Sequence, residues 1–149
     1  MPETPLPSVP RVDVRAARLS QGLVAALVAA AFALRAPPVL ALAGLHLALS
    51  AALGRRGNLA IGFFDAVLRP HLGPPAWEDA RPPRFASLVG AVGVAIALAL
   101  HGAGLPLAAW TIAGLVGVLA LVGATTGACV GCWLYGYLGP LRGLVRWIG

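Results

Sequence analysis

Two residues stand out for chemistry. Cys129 and Cys132, in "GACVGCWLYGY", are the only thiols in a chain of 149 residues. Two cysteines scattered at random would fall three apart in roughly one such chain in 75, so the spacing favours a working pair. A dithiol can cycle to a disulfide, one thiolate attacking and the other resolving the mixed disulfide. The thiolate form needs a positive setting or a helix N-terminus. A helix beginning near Ala128 supplies the second, and Arg55 or Arg56 from the first half of the chain is the expected source of any positive charge. On a helix, positions i and i+3 hold their Cβ atoms ~5–6 Å apart. A disulfide prefers ~3.5–4.5 Å, so bridging requires the local freedom that Gly127 and Gly131 give. The competing reading is packing: Gly123, Gly127 and Gly131 form G-x-x-x-G-x-x-x-G, a small-residue stripe for close helix contact, and free cysteine is an ordinary small buried residue.

Neither a metal nor a cofactor is expected. A structural zinc site takes four ligands, and His46, His71 and His101 lie on different segments from the cysteines. Covalent haem attachment requires C-x-x-C-H, and Trp133 holds the histidine position. A second motif is doubled: "DVRAAR", Asp13 to Arg18, and "DARPPR", Asp79 to Arg84, both read D-x-R-x-x-R. Structurally, Asp13 and Asp79 serve as helix caps or pair with Arg18 and Arg84, while the arginines anchor to lipid headgroups. In the sharper reading Arg15, Arg18, Arg81 and Arg84 form an anion site at one mouth of a bundle. His46 sits within an apolar helix, where an ionisable residue is a functional candidate; a neutral histidine bonded to a neighbouring helix is the alternative. Asp65 and Arg69 are spaced as an i,i+4 ion pair. Trp133, Tyr135 and Tyr137 read as an interfacial aromatic belt.

The elements that position these residues are apolar. The chain is 59% hydrophobic and only 11% charged, with mean hydropathy +0.86. Such a surface suits lipid. Four apolar stretches run from Leu19 to Leu34, Pro37 to Gly54, Phe85 to Leu100 and Leu105 to about Gly127. A full span needs ~20 residues, so the first and third are short and must borrow flanking residues. "RAPP" and "HGAGLP" are turns, making two antiparallel helical hairpins. Arg35 lies on one side of the membrane and every other arginine on the opposite side. The positive-inside rule then puts both termini in the cytoplasm, with the chain in the inner (plasma) membrane. The net charge of +6 sits at the ends of apolar runs and not in one patch, which argues against a nucleic-acid partner.

An internal repeat organises the whole. Each D-x-R-x-x-R precedes a hairpin, and each hairpin is followed by a glycine-spaced piece, "GNLAIGFFDAVLRP" or "GACVGCWLYGYLGP". Gly57 aligns with Gly127, Leu68 with Leu138 and Pro70 with Pro140. The expectation is all-α: an integral membrane four-helix bundle of two parallel helical-hairpin repeats, each followed by a short interfacial or re-entrant helix. Residues 1–10 are read as a flexible tail and 11–149 as one membrane domain. Within it, repeat 1 covers about 11–71, a cytoplasmic linker 72–83 and repeat 2 about 79–149.

The combination "VDVRAAR", "FDAVLRPHLGPP", "EDARPPRFA" and a late C-x-G-C resembles domain-of-unknown-function family 4395, small bacterial membrane proteins, from Val12 to about Tyr137. Val14 departs from the proline typical of that position. The resemblance implies a neighbourhood of sulfurtransferase or thioredoxin-like proteins, hence sulfur or thiol chemistry. Three functions compete. The favoured one is thiol–disulfide exchange or persulfide relay at Cys129 and Cys132 with a cytoplasmic thioredoxin-like or sulfurtransferase partner. The second is transport of a small sulfur-containing anion, by the bundle or by a homo-oligomer of it. The third is a non-catalytic anchor docking a soluble enzyme through Phe63, Phe64 and the linker. A quinone-linked secretory thiol oxidase fits less well, because the pair is expected on the cytoplasmic side and secretory disulfides form on the other.

Overall fold

A computed structural model describes residues 10–137. The chain starts with a short strand, β1 (Arg11–Asp13), and enters helix α1 (Val14–Leu34). Asp13 is the reason α1 starts so early. Its carboxylate accepts the Arg15 backbone N–H at 3.0 Å, satisfying one of the donors that a helix N-terminus leaves open. The short first apolar stretch is completed by flanking residues, as expected: α1 has 21 residues, about 31 Å at 1.5 Å each. The third stretch is extended in the same way. Helix α4 (Arg81–Gly102) takes Pro82 and Pro83 into its first turn, where a missing N–H is harmless. Helices α2 (Pro37–Leu53) and α5 (Pro106–Thr126) also open on proline.

Four helical runs, Val14–Leu34, Pro37–His71, Arg81–Gly102 and Pro106–Thr126, are long and apolar enough to cross a bilayer. Leu42, Leu45, Leu107 and Val118 are exposed, as a lipid-facing surface requires. The protein is a mostly helical membrane protein.

The main contacts run between the halves. Helix α1 lies chiefly against α5, and α2 against α4; the covalent hairpin α1–α2 is the looser pairing. The sequence pattern gave the hairpins but not this interleaving. Small residues allow the close approach. Ala31, Ala43, Ala97 and Ala113 are wholly buried, and Val94 and Val28 fill the space beside Gly44 and Gly117.

The fold is not purely helical. β1 pairs antiparallel with β2 (Trp77–Asp79), in register Arg11↔Asp79, Val12↔Glu78 and Asp13↔Trp77. The stretch expected as a plain linker therefore closes over the end of the bundle. Val12 of this ribbon packs with Ala16, Ile61, Phe64 and Ala80 in a second apolar cluster.

After α2, a tight turn (Gly54–Gly57) leads to α3 (Leu59–Phe63), a widened turn (Phe64–Leu68) and another tight turn (Arg69–His71). After α5 comes α6 (Val130–Tyr137). The three glycines expected on one helix stripe are divided among separate places. Gly123 is in α5, Gly127 closes that helix at φ +75°, and Gly131 is in α6. The left-handed Gly127 turns the chain, so a single stripe is impossible. Leu138, Pro140, Arg142 and Arg146, used above for the repeat and the orientation, lie outside the described residues, as does the tail 1–9.

Candidate functional site: a capping thiol beside a cavity

Cys129 immediately precedes α6. Its carbonyl accepts the N–H groups of Cys132 and Trp133, both at 3.0 Å, and its Sγ accepts the Cys132 N–H at 3.2 Å. The thiol thus takes the place of a capping side chain, with the open end of α6 aimed at the sulfur. Negative charge is favoured there. Both cysteines are half-buried and unbridged.

The surroundings separate the two thiols. A hydrogen bond from the Cys132 thiol, the backbone N–H groups of Cys132 and Gly131, and the Gln21 amide lower the Cys129 pKa to about 6, against the opposing effect of burial. Cys132 moves the other way: it holds its proton because that proton is shared with Cys129, and burial adds to the effect. Such a split gives one nucleophile and one proton-bearing partner. The expected arginine contribution is not what lowers Cys129; hydrogen bonding does.

Gln21 comes from α1. Its amide lies across Gly123, where any Cβ would collide with it. Helix α6 is seated by the same means: Gly131 rests on Ala86 of α4, where a Cβ would overlap. Phe85 and Tyr135 pack as a tilted pair, ring centres 5.8 Å apart and planes at 53°.

Cys129 also lines a cavity of about 340 Å³, whereas Cys132 is not in its wall. One end, inside the bundle, is apolar, with Val24, Leu47 and Val116. The end near Cys129 carries Ser20, Gln21 and Asn58. A family model described as "Domain of unknown function (DUF4395)" matches residues 12–139. The chain belongs to this family. No curated protein and no solved structure matches it.

The remaining candidate residues of this DUF4395 chain fall into three groups. The outer arginines of the doubled motif hold helix ends. Arg18 donates to the Ala124 carbonyl at 2.9 Å and to that of Thr125, at the end of α5. Arg84 donates to Ala51 at 3.2 and 3.0 Å and to Ala52 at 3.1 Å, at the end of α2. Each half therefore clasps the other. Arg15 reaches the Pro74 carbonyl at 2.7 Å, and Arg81 lies 3.8 Å from Asp79. Asp79 also accepts the Arg81 N–H at 2.9 Å. Among the described residues, neither aspartate pairs with Arg18 or Arg84. The four arginines do not converge on one anion pocket.

The second group holds the ribbon to the turn after α3. Asp65 pairs with Arg69 at 3.4 Å, as the spacing predicts, and also with Arg55 at 2.6 Å. Arg55 and Arg69 both lie over the Trp77 ring. Phe63 is exposed but Phe64 is buried, so Phe64 is unavailable as a docking side chain. Trp133 and Tyr137 are exposed on α6, consistent with an interfacial position.

The third group is a buried polar chain. Asn58 donates to Ser20 Oγ at 2.7 Å, and Ser20 Oγ lies 3.2 Å from His46 Nε2. The Ser50 hydroxyl donates to the His46 carbonyl at 2.7 Å. His46 Nδ1 is buried with no partner among the described residues. Ser20, Gln21 and Asn58 were missed from sequence. Their one available signal is position, since polar residues within apolar runs need partners.

Among the described residues no group of three metal-ligating side chains forms.

Proposed function

We propose that this chain is a membrane thiol–disulfide exchange protein with Cys129 as nucleophile and Cys132 as resolving thiol. One observation carries the reading: the Cys129 sulfur accepts the backbone N–H of Cys132 at the start of α6, so the helix end stabilises its thiolate. In one direction the Cys129 thiolate attacks a soluble partner's disulfide. One partner sulfur leaves as thiolate, and Cys132 then displaces the other, closing Cys129–Cys132 and leaving the partner reduced. Run backward, the same steps oxidise the partner's dithiol. The partner class is a thioredoxin-like protein. A persulfide relay to a sulfurtransferase would need Cys129 alone and leave Cys132 dispensable.

The site sits at the end of the bundle shared by the ribbon and the arginine clasps, which the arginine distribution assigns to the cytoplasm. The two halves are read as a duplicated unit about an axis along the membrane normal. The strand register supports this: equating Asp13 with Asp79 maps the pair Arg11↔Asp79 onto Asp13↔Trp77. The reciprocal arginine clasps support it too.

The test is a redox titration. Purified protein equilibrated in glutathione buffers is reacted with a maleimide that shifts its mobility. The two thiols should appear together in one two-electron transition. Thiols that remain free at every poise, or two separate transitions, would sink the proposal. Labelling by an impermeant maleimide should occur in inverted vesicles and not in intact cells.

A further inference from the structure

The cavity beside Cys129 has a shape and chemistry of its own. Its wall follows α4 from Pro83 to Gly93, about 15 Å at 1.5 Å per residue. Its volume of about 340 Å³ falls within the range of small-molecule sites, roughly 300–1,000 Å³. Most of the wall is aliphatic and belongs to helices that cross the bilayer, so a ligand soluble in lipid is the natural occupant.

The polar end narrows the choice. Ser20 and Asn58 are more than nine-tenths buried and form part of the wall with Gln21. Asn58 uses one amide hydrogen on Ser20; the second has no partner among the described residues. Leaving such a donor under methylene groups is costly, which argues against an acyl chain. The ligand's head should therefore carry oxygen acceptors.

Charge narrows it further. Arg55 and Arg84 reach the wall, but Arg55 is paired with Asp65 and bonded to the Arg11 carbonyl at 3.3 Å. Arg84 is committed to Ala51 and Ala52. With those cations engaged and an apolar interior, the site suits a neutral molecule.

The geometry points to a quinone site: a neutral, bilayer-soluble ring with two carbonyl oxygens, held in this cavity, that accepts two electrons from the Cys129–Cys132 dithiol. The inference rests on the thiol-exchange reading. The Cys129 thiolate, the Cys132 thiol and one proton from solution supply two electrons and two protons. The Cys132 S–H bond breaks and an S–S bond forms. The two quinone carbonyls become the hydroxyls of a quinol. Cys129 is the sulfur that meets the ring, and Cys132 closes the disulfide from outside the wall. The objection to a secretory oxidase does not reach this step, because a quinone diffuses within the bilayer and can be reduced from its cytoplasmic side.

The experiment uses the reduced full-length protein in lipid nanodiscs without oxygen. Decylubiquinone is added, quinol is followed by absorbance and thiols are counted. One quinol should form per disulfide. Ala120→Trp and Ile112→Trp, which fill the lumen at two depths, should raise the half-saturating quinone concentration at least ~10-fold while leaving glutathione exchange intact. A photoreactive azidoquinone should label cavity residues in the Cys129→Ser, Cys132→Ser double variant, which separates binding from chemistry. Labelling elsewhere, or cavity labelling displaced equally well by decanol with no quinol formed, would overturn the proposal. If glutathione cycles the pair but quinone does not oxidise it, the quinone site fails and thiol exchange stands. If neither reagent cycles the pair, the exchange reading itself fails.

Discussion

Helices α3 and α6 start alike and differ in what starts them. Asn58 caps α3, its side-chain oxygen accepting the Ile61 N–H at 3.0 Å. Cys129 caps α6, its sulfur accepting the Cys132 N–H at 3.2 Å. Each accepts from the residue three positions on, and each follows a bundle helix and a glycine turn. Asn58 is buried and tied to Ser20, while α3 buries Ala60 and Ile61. Cys129 is half-buried, and α6 has no buried residue. Asparagine is among the best capping residues, and cysteine is outside the preferred set. The same corner of the fold thus holds a buried asparagine in one half and a half-buried thiol at a more open helix in the other. A thiol in the weaker capping position argues for chemistry over packing.

The sharpest way to break that contrast is to remove the thiols singly. Cys129→Ser should reduce disulfide exchange with a soluble dithiol protein by ~10³-fold or more. Cys132→Ser should still attack and accumulate as a mixed disulfide, visible as a reductant-sensitive band. Equal trapping by both variants would remove the assigned roles. The next effect is on pH. Alkylation of Cys129 should rise about tenfold per unit below pH 6 and level off above it, because its pKa is lowered to about 6. An ordinary thiol keeps gaining reactivity up to about pH 8.5. The same shift links to stability: the thiolate's contribution is fully present above the unfolded thiol's pKa and is lost as pH falls through about 6. Iodoacetamide rates on the Cys132→Ser variant would have to be remeasured against this curve, since the Cys132 hydrogen bond is the largest cause of the shift.

At the first-half cap the effect is on folding. Asn58→Ala removes the cap and the donor to Ser20, and should cost about 1–3 kcal/mol, read from denaturation of the detergent-solubilised protein. The mirror change, Cys129→Asn, should abolish exchange yet slow hydrogen exchange across α6 by a few-fold. Faster exchange in that variant would mean that the thiol is the better cap, and the contrast would lose its meaning.

What was legible in the sequence follows from the range of each force. Apolar runs bounded by proline and arginine located the four spans, since helix length and burial in lipid are local properties. The first and third apolar stretches begin several residues inside their helices, because Asp13 and the prolines after Arg81 set the helix starts through capping, which the hydropathy pattern does not register. The thiol pair was legible as a pair, and a helix start near Ala128 lies two residues from Val130. The partners were not. Gln21 is more than a hundred residues from Cys129 and reaches it only because α1 packs on α5. Arg18 and Arg84 read as lipid anchors in sequence, yet they bond to carbonyls of the opposite half. The ribbon was hidden because its strands are three residues each and its partner is distant in sequence. The glycine stripe failed for a local reason: Gly127 takes a left-handed turn, which periodicity cannot reveal.

The smallest effect tests the duplication itself. Asp13 and Asp79 make the same bond, each accepting the N–H two residues on, at 3.0 and 2.9 Å. Their settings differ: the Asp13 side chain is 3% exposed and that of Asp79 43%. Water can replace the bond at Asp79 but not at Asp13. Asp13→Ala should therefore cost about 1 kcal/mol, whereas Asp79→Ala should change stability by only a few tenths of that amount. The comparison needs only the difference between two melting curves taken in one detergent. Equal losses would mean that the ribbon shields both aspartates alike. A larger loss at Asp79 would mean that the β2 end, and not the start of α1, holds the clasp together.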